Sequence, residues 1–443
     1  MGFQQGLSGL NAASKSLDVI GNNIANASTV GFKQGQTQFA DVYANSLNGS
    51  SAGTVGIGTK VSGVVQQFTQ GNISTTNNPL DIAINGGGFF RMSTNGAVTY
   101  TRNGQFQLDK LGNIVNAQGA QLTGYVANAA GVLSTGAAAP ININTSDIPP
   151  AQTATINAVM NLDSRKLVPG TQLPVTIPPV ITPIAFSPTD PTTYNSSTSI
   201  AVFDSLGNSH VVQSFFVKRD NATPPTLPVT IEWDVFATVD GVLINGAGAT
   251  TNSVTRLGFD NLGRLSNVTP QFSATDPRAT TLTVPVSTGA VTPINTTLDI
   301  KYDFTGTTQF GSDFSVSKNT QDGYASGKLA KFNTAKDGTI VGSYTNGKTS
   351  VLAQVVLANF TNPNGLQSTG DNQWIETAAS GNSLVGPPNS GALGTLTSSA
   401  TEDSNTDLTG ELVNMITAQR VYQANAQTIK TQDQVLQTLV NLR

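Results

Sequence analysis

The sequence offers few side chains that could carry out catalysis. It contains one histidine, His210, and no cysteine, so thiol chemistry, disulfides and cysteine-ligated metals are excluded. His210 would have to serve any Ser-His-Asp triad, yet no serine stands in a nucleophile-elbow sequence. A lone histidine in a β-rich stretch is usually structural, and the sequence shows no cluster of His, Asp and Glu suited to a metal. We therefore predict neither enzymatic activity nor a cofactor.

A run of three glycines, Gly86 to Gly88, invites comparison with a phosphate-binding loop. The next residues, Phe89 and Phe90, continue as a strand, so no helix N-terminus is available to face a phosphate. We interpret the glycines as a bend where two backbones approach closely.

A five-residue pattern, Asp-x-Leu-Gly followed by Asn or Arg, occurs at residues 109–113, 204–208 and 260–264. Calcium loops need more carboxylates than the one aspartate that each copy supplies. An aspartate that accepts backbone hydrogen bonds and a glycine at positive φ are typical of β-turns. The pattern therefore predicts three turns rather than three metal sites.

The composition is poor in charge. Charged residues make up 11% of the chain, against about 25% in typical domains, so neutral polar groups must cover the surface and suit close packing between subunits. The net charge of −4 and the lack of a basic patch argue against a nucleic-acid partner. No apolar run reaches the roughly 18 residues of a membrane span. The N-terminus lacks the basic and apolar regions of a secretory signal, so we expect a cytoplasmic protein or export without a cleaved signal.

Both ends of the chain have the spacing of amphipathic helices. Near the N-terminus the seam residues are Leu10, Ala13, Leu17, Ile20, Ile24 and Ala27, within a helix predicted over 4–27. Near the C-terminus they are Leu408, Leu412, Met415, Gln419, Tyr422, Ala426, Ile429, Asp433, Leu436 and Val440. The alternation of three and four predicts one narrow seam on each helix, as in coiled coils. The last helix would be roughly 54 Å long at 1.5 Å per residue. A small domain does not need that length, so we expect the seams to pack between copies of the chain.

Polar residues interrupt the seam of the last helix at Gln419 and Asp433. A polar side chain at a seam position costs stability but can fix the register between helices. We hypothesise that these two residues set the stagger between subunits. The acidic pair Glu402 and Asp403 precedes this helix and is expected to interact with its positive N-terminal end.

The middle of the chain has the turn signals of β-structure. The Asn-Gly and Asp-Gly pairs that separate β-rich runs begin at Asn95, Asn103, Asp337 and Asn346. Because these pairs fall in two distant stretches, we predict one β-domain split over 79–148 and 306–395. A proline-rich β-domain, 149–305, is inserted between them. Residues 34–78 and 396–404 are predicted as extended connectors, and residues 1–33 and 405–443 as a terminal helical domain. The predicted fold class is therefore mainly β with α-helical termini.

The terminal sequences resemble those of the bacterial flagellar rod and hook axial proteins. Residues 17–26 and 29–33 are similar to the N-terminal signature of that family, which includes Asn22, Asn23, Ala25, Asn26, Gly31 and Phe32. Residues 411–416, 419–426 and 429–433 resemble its C-terminal signature. Within the family, the chain length, the inserted domain and residues 320–327 favour the members that form the hook.

The resemblance implies a structural subunit of a helical homopolymer. Terminal helices would line the inner tube as coiled coils, and the inserted domain would lie outermost. The polymer would be a curved tube that passes torque from rod to filament as a universal joint. Implied partners are other copies of the chain, the rod, the hook cap, the hook–filament junction proteins and the type III export apparatus. The implied location is extracellular, in the flagellum.

Two alternatives remain from the sequence alone. A distal-rod protein or another axial protein would share both terminal signatures, although rod members are shorter and lack a large inserted domain. A secreted β-rich adhesin would use the helices only to trimerise, but it would need a cleavable signal or an anchor.

Overall fold

The polypeptide is mainly β-structure with one long helix at each end, which confirms the predicted fold class. The computed structural model describes residues 2–42, 56–128, 131–144, 146–170, 184–219, 231–244, 253–271, 275–286 and 296–441. Residues 1, 442 and 443 of the predicted helical domain, 43–55 of the predicted connector and several stretches of 149–305 lie outside these ranges.

The helices and strands have the following bounds. Helix α1 spans Gly2–Ala25 and α2 spans Leu408–Asn441; short 3-10 turns occur at Pro191–Thr193 and Pro363–Gly365. The first ten strands are β1 (Gly35–Val42), β2 (Gly58–Gln66), β3 (Ile73–Thr75), β4 (Ile82–Asn85), β5 (Phe89–Thr94), β6 (Ala97–Thr101), β7 (Gln107–Leu108), β8 (Ile114–Val115), β9 (Gln121–Val126) and β10 (Ala139–Pro140). The next ten are β11 (Thr155–Asn161), β12 (Ser196–Phe203), β13 (Ser209–Lys218), β14 (Ile231–Val239), β15 (Val242–Ile244), β16 (Thr255–Phe259), β17 (Leu265–Thr269), β18 (Ala279–Val286), β19 (Thr296–Asp303) and β20 (Ser315–Gln321). The last nine are β21 (Leu329–Thr334), β22 (Thr339–Tyr344), β23 (Thr349–Val355), β24 (Leu357–Asn359), β25 (Gln367–Gly370), β26 (Gln373–Ile375), β27 (Leu384–Gly386), β28 (Thr395–Ser398) and β29 (Ala400–Glu402).

The chain divides into two compact units. The first combines Met1–Ser146 with Leu329–Arg443, and the second is Asp147–Lys328. The second unit ends later than the predicted boundary at residue 305. The reason is that β20 pairs antiparallel with β11 and completes a sheet of the inserted unit. Residues 306–328 therefore belong to the insert and not to the split domain.

The first unit is built around one large, branched antiparallel sheet. Its main path is β21-β22-β23-β9-β5-β6-β26-β25, so strands from both halves of the sequence alternate in space. Its largest core cluster includes Ile82, Phe90, Leu122, Val355 and Leu396. Two distant stretches of the chain thus close the main hydrophobic core of the split β-domain.

Three of the four predicted hairpin turns join neighbouring strands. Asn95-Gly96 connects β5 to β6, Asp337-Gly338 connects β21 to β22, and Asn346-Gly347 connects β22 to β23. Asn103-Gly104 does not join a hairpin, because β6 pairs with β5 and β26 whereas β7 pairs with β8. A Cβ at Gly104 would lie on the carbonyl oxygen of Ile82, so this glycine serves a close backbone approach instead.

The predicted connectors are paired strands and not simply extended chain. β1 and β2 form an antiparallel hairpin that packs on α1. At the other end of the sequence, β28 pairs with β4 and β29 pairs with β3. Edge pairing satisfies the backbone polar groups that an isolated extended connector would leave to water.

The second unit contains a four-stranded sheet, β18-β19-β11-β20, and a six-stranded sheet that follows β12-β13-β14-β16-β17. Side chains of both sheets share one core, among them Ile156, Ile300, Phe216, Trp233 and Leu257. The two sheets, whose strands are mostly antiparallel, bury their inner faces against each other, so the second unit is a β-sandwich.

Candidate functional site: the terminal helix pair and its junction with the β-domain

Helices α1 and α2 pack as an antiparallel pair. A Cβ added at Gly6 would lie 3.0 Å from Ile429 Cγ1, and one added at Gly9 would lie 2.6 Å from Asn425 Oδ1. At the other end of the pair, Asn23 Nδ2 donates to Glu411 Oε2 at 3.2 Å. Glycine therefore lets the two helix backbones approach closely near the start of α1.

The predicted seam of α1 is only partly the surface that packs within the chain. Ala13 and Ile20 are buried. Leu10, Leu17, Ile24 and Ala27 are half-buried, and Ala27 lies in the turn that follows the helix. The buried positions Ala12 and Asn23 were not predicted, because small and polar residues give no apolar signal.

The predicted seam of α2 lies mostly at the surface. Seven of its residues are exposed: Leu408, Leu412, Gln419, Tyr422, Asp433, Leu436 and Val440. Met415, Ala426 and Ile429 are half-buried. The most buried α2 positions, Glu411 and Ala418, are seven residues apart, and the partly covered Asn425 and Gln432 continue that spacing. The face of α2 that meets α1 is thus small and polar, and most of the apolar stripe is exposed within the described part of the chain.

Helix α2 extends beyond α1 at its C-terminal end. It has 34 residues against 24 in α1, and the first turns of α1 lie beside Asn425 and Ile429. In the last turns of α2, Leu436 and Val440 are 54% and 74% exposed. The apolar side chains at this end of α2 are thus largely open to solvent.

Asn23 links three elements through one side chain. Its Oδ1 accepts the Gly35 N–H at 2.9 Å, and its Nδ2 donates to the Gly35 carbonyl at 2.8 Å as well as to Glu411. The side chain is only 2% exposed. Asn23 therefore fixes the β1–β2 hairpin to both helices.

The other signature residues shape the end of α1. Asn26 Nδ2 donates to the Asn22 carbonyl at 3.0 Å, and Asn26 Oδ1 accepts from Thr29 Oγ1 at 3.2 Å. Asn22 and Ala25 point to solvent. Asparagine side chains that bond local backbone groups favour helix ends over helix interiors, so Asn26 helps to terminate α1.

Gly31 and Phe32 lie where the chain turns into the β-domain. Gly31 has a φ of +72°, and an added Cβ would lie 2.5 Å from the backbone nitrogen of Asn103. Gly31 N–H donates to the Glu402 carbonyl at 2.8 Å, and the Phe32 side chain is buried. Only glycine fits this backbone conformation and this close approach.

A buried ionic cluster joins the two ends of the chain to the β-domain. Lys33 Nζ lies 2.7 Å from Glu402 Oε1, and Arg102 Nε lies 3.2 Å from Glu402 Oε2; all three side chains are almost fully buried. Lys33 Nζ also donates to the Thr69 carbonyl at 2.7 Å. Burial lowers the pKa of Lys33, because desolvation opposes its charge more than Glu402 supports it. Burial likewise lowers the pKa of Arg102.

Arg102 also binds the backbone of the Gly86–Gly88 bend. Its Nη1 donates to the Gly88 carbonyl at 2.8 Å and its Nη2 to the Gly86 carbonyl at 2.9 Å. Gly86 and Gly88 have positive φ, and a Cβ at Gly86 would lie 3.0 Å from the Cα of Gly394. The predicted bend with a close backbone approach is confirmed, and its carbonyls serve a buried guanidinium.

The predicted role of Glu402 and Asp403 is wrong. Glu402 lies in β29 and pairs with Lys33 and Arg102, and Asp403 Oδ2 accepts from Ser74 Oγ. The start of α2 is instead capped by Asp407, whose Oδ1 accepts the Thr409 N–H at 3.0 Å. Sequence reasoning assigned the acids to the nearest helix, because their true partners lie far away along the chain.

The three Asp-x-Leu-Gly patterns are turns, as predicted. Asp109, Asp204 and Asp260 each accept the backbone N–H groups two and four residues further on through Oδ1. The glycines have φ values of 73° to 85°. In the described part of the chain, no group of three or more His, Asp or Glu side chains is arranged to hold a metal ion.

His210 is hydrogen-bonded to one aspartate of the second unit and lies near another. Its Nδ1 lies 2.8 Å from Asp240 Oδ2, and its Nε2 lies 3.6 Å from Asp204 Oδ2. Asp204 belongs to a turn and Asp240 also accepts the Val211 N–H at 2.8 Å. The imidazole thus links β13 to Asp240, directly after the end of β14, in keeping with a structural histidine.

A groove of about 840 Å³ lies between α1, α2 and the β1–β2 hairpin. Its apolar lining includes Ala13, Ile20, Phe39, Ala418 and Val421.

Among the residues described, none of the helices is long and apolar enough to cross a membrane.

Four family models match separate parts of the chain, including both of its terminal regions. The matches are Flagella basal body rod protein at 3–33, Flagellar hook protein FlgE/F/G D1 domain at 83–187, Flagellar basal body protein FlaE D2 domain at 161–324, and Flagellar basal body rod FlgEFG protein C-terminal at 397–442. Together with the terminal helix pair, they define an axial protein of the bacterial flagellum.

Comparison with complete proteins narrows this class. The sequence is 44% identical over 449 residues to the flagellar hook protein FlgE of Salmonella typhimurium, with 100% of both chains covered. It is 42% identical over 454 residues to FlgE of Escherichia coli, again over 100% of both chains. It is 33% identical over 465 residues to FlgE of Borreliella burgdorferi, covering 99% of this chain and 98% of that one. The chain therefore belongs to the flagellar hook protein FlgE family.

The fold agrees with a solved member of that group. The crystal structure of Helicobacter pylori flagellar hook protein FlgE2 superposes with a TM-score of 0.51 at 13% identity, covering 73% of this chain and 98% of that chain. At this identity the likeness supports the fold class only.

Proposed function

We propose that the chain is the structural subunit of the flagellar hook. Copies would polymerise into a curved, flexible tube that passes torque from the rod to the filament. The observation that carries this proposal is the full-length similarity to hook proteins at 44% identity. The exposed apolar residues of α2, such as Leu436 and Val440, support it, because neighbouring copies in a polymer would cover them.

The proposal extends to partners and location. Assembly would place this chain against other copies, the rod, the hook cap and the hook–filament junction proteins, outside the cell. Export through the type III apparatus would deliver it without a cleaved signal. The low content of charged residues also favours a flexible hook. Bending requires subunits to slide against one another, and neutral polar contacts with bridging water tolerate sliding better than fixed ion pairs do.

The proposed role requires no catalysis. The sole histidine is hydrogen-bonded to Asp240, which also accepts the Val211 N–H. A distal-rod role is less favoured, because the hook proteins align over the whole length, including the inserted unit. An adhesin role is disfavoured by the axial-family matches at both ends of the chain.

Electron microscopy of basal bodies from a strain that lacks the gene tests this function. Complete rods without hook or filament are expected, and the wild-type gene should restore both. Truncated rods would assign the chain to the rod instead. Normal flagella in the deletion strain would contradict any axial role.

A further inference from the structure

The groove between α1, α2 and the hairpin contains one charged side chain. Among the residues described along its wall, only Glu411 carries a charge, and its side chain is 4% exposed. Among the described residues, the hydrogen-bond donors to this carboxylate are all side-chain amides. Gln34 Nε2 lies 2.7 Å and Asn414 Nδ2 lies 3.4 Å from Oε1, and Asn23 Nδ2 lies 3.2 Å from Oε2.

The Glu411 carboxylate can accept a further hydrogen bond. Its two oxygens offer about four acceptor sites, of which the three amides fill three. Neutral amides orient a buried anion but do not balance its charge. If another surface covered the groove, the remaining water would be lost, and a cation would become strongly favoured.

Arg420 is the cation of the terminal helices whose surroundings match the groove. It lies on the side of α2 that faces away from α1, together with Val413 and Ile416, seven and four residues before it. Val413 and Ile416 are exposed. The other exposed helix cations, Lys15 and Lys430, have mainly polar residues at the corresponding spacings.

We propose that the groove receives the outward face of α2 from a second copy of the chain, with Arg420 of that copy bound to Glu411. The apolar side chains beside Arg420 would cover the apolar wall near Ala418 and Val421. Arginine suits the site because its planar guanidinium can bond a carboxylate through two N–H groups. This pairing rests on the proposed polymeric function and specifies one of its contacts.

Charge reversal tests the pairing in a strain that lacks the chromosomal gene. Arg420→Glu should reduce the number of hooks per cell at least tenfold, and Arg420→Lys should retain most of them. Glu411→Arg combined with Arg420→Glu should restore hooks to within about threefold of wild type. Lys430→Glu, a charge reversal elsewhere on the same helix, should leave the number unchanged. Equal loss in Lys430→Glu and Arg420→Glu would overturn the proposal.

Cross-linking provides a second test, because Glu411→Arg could disturb its own amide partners. The chain has no cysteine, so introduced thiols react alone. Gln36→Cys, on the groove wall, combined with Ile416→Cys should give dimers and higher species when wild-type-like hooks are treated with a bifunctional thiol reagent. Gln36→Cys combined with Gln437→Cys is the control and should give monomers.

The two tests separate the proposals. Hooks that assemble without the Gln36–Ile416 cross-link would overturn the pairing and leave the hook function intact. Failure of the wild-type gene to restore hooks in the deletion strain would instead contradict the function itself.

Discussion

Lys33 and Glu402 are 369 positions apart in the sequence, and their charged atoms lie 2.7 Å apart in a site closed to solvent. Lys33 follows α1, and Glu402 precedes α2. The two points where the chain leaves and re-enters the helix pair are therefore bonded to each other. Arg102 adds the β-domain to the same cluster.

Glu402→Gln should destabilise the first unit by about 3–5 kcal/mol, because it leaves Lys33 and Arg102 buried without an anion. Hydrogen exchange of peptides from the first unit under increasing urea would measure this loss. Glu376→Gln is the matched control, since it makes the same change at an exposed carboxylate and should cost less than about 1 kcal/mol. Equal losses of stability in the two variants would show that the buried ionic cluster stabilises the first unit no more than an exposed carboxylate does.

Asn23→Ala should loosen the contact between α1, β1 and α2, at a cost of about 1–3 kcal/mol for the buried groups left unpaired. Faster amide exchange in β1 and at the end of α1 is the expected signature. Asn22→Ala makes the same substitution at an exposed neighbour in the same helix, so it corrects for the gain in helix propensity. If both variants exchange alike, the bonds of Asn23 to Gly35 and Glu411 do not stabilise this junction.

The sequence predicted those parts of the molecule that depend on local pattern. The helices follow from apolar spacing, and the Asp-x-Leu-Gly turns follow from side chains that bond backbone groups within the same five residues. Asn103-Gly104 shows the limit of such local prediction. An Asn-Gly pair has the same sequence signal whether it forms a hairpin turn or allows a close approach to a carbonyl oxygen, as Gly104 does at Ile82. Local propensity does not specify which strands lie beside the pair.

Long-range polar pairing was not predictable. Lys33, Arg102 and Glu402 carry no periodicity, and nothing near each residue indicates its partner. The α2 face that meets α1 was missed for a related reason, since Glu411, Ala418 and Asn425 form a heptad spacing of small or polar residues. Apolar periodicity instead identified a stripe of α2 whose residues are mostly exposed.

Because Tyr302 is buried, we expect the second unit to lose stability at alkaline pH. Burial raises the pKa of its hydroxyl to about 12, although the hydroxyl lies 3.1 Å from Ser214 Oγ. An unfolded tyrosine loses its proton near pH 10, so the folded state binds more protons between pH 10 and 12. Stability from this group is complete below pH 10 and should fall by about 1.4 kcal/mol per pH unit above it.

Tyr302→Phe should remove that part of the pH dependence. Hydrogen exchange of second-unit peptides between pH 9 and 11, corrected for the intrinsic exchange rate, provides the measurement. Tyr422→Phe, which changes an exposed tyrosine of α2, should leave the slope unaltered. An unchanged slope in Tyr302→Phe would mean that another group controls the alkaline transition.

Leu436→Gln should separate folding from assembly. Because Leu436 is 54% exposed, the monomer should lose no more than about 0.5 kcal/mol. Hook number should nevertheless fall strongly, since the variant removes apolar surface from the exposed end of α2. Gln434→Ala changes an exposed polar neighbour and should assemble normally. Normal hooks from Leu436→Gln would show that this end of the stripe is not a contact between copies.

Asp433 should control the shape of the polymer rather than its formation. It occupies an exposed seam position, where its Oδ2 accepts from Gln437 Nε2 at 3.0 Å within the same helix. A polar residue in a mainly apolar seam disfavours shifted registers, because those shifts bury it against apolar side chains. Asp433→Leu should therefore strengthen association between helices while permitting wrong staggers, which gives straight or misassembled tubes. Electron microscopy of isolated hooks would show this, with Asp18→Leu on α1 as the control for losing an exposed aspartate. Hooks of normal curvature from Asp433→Leu would exclude a role for Asp433 in subunit stagger.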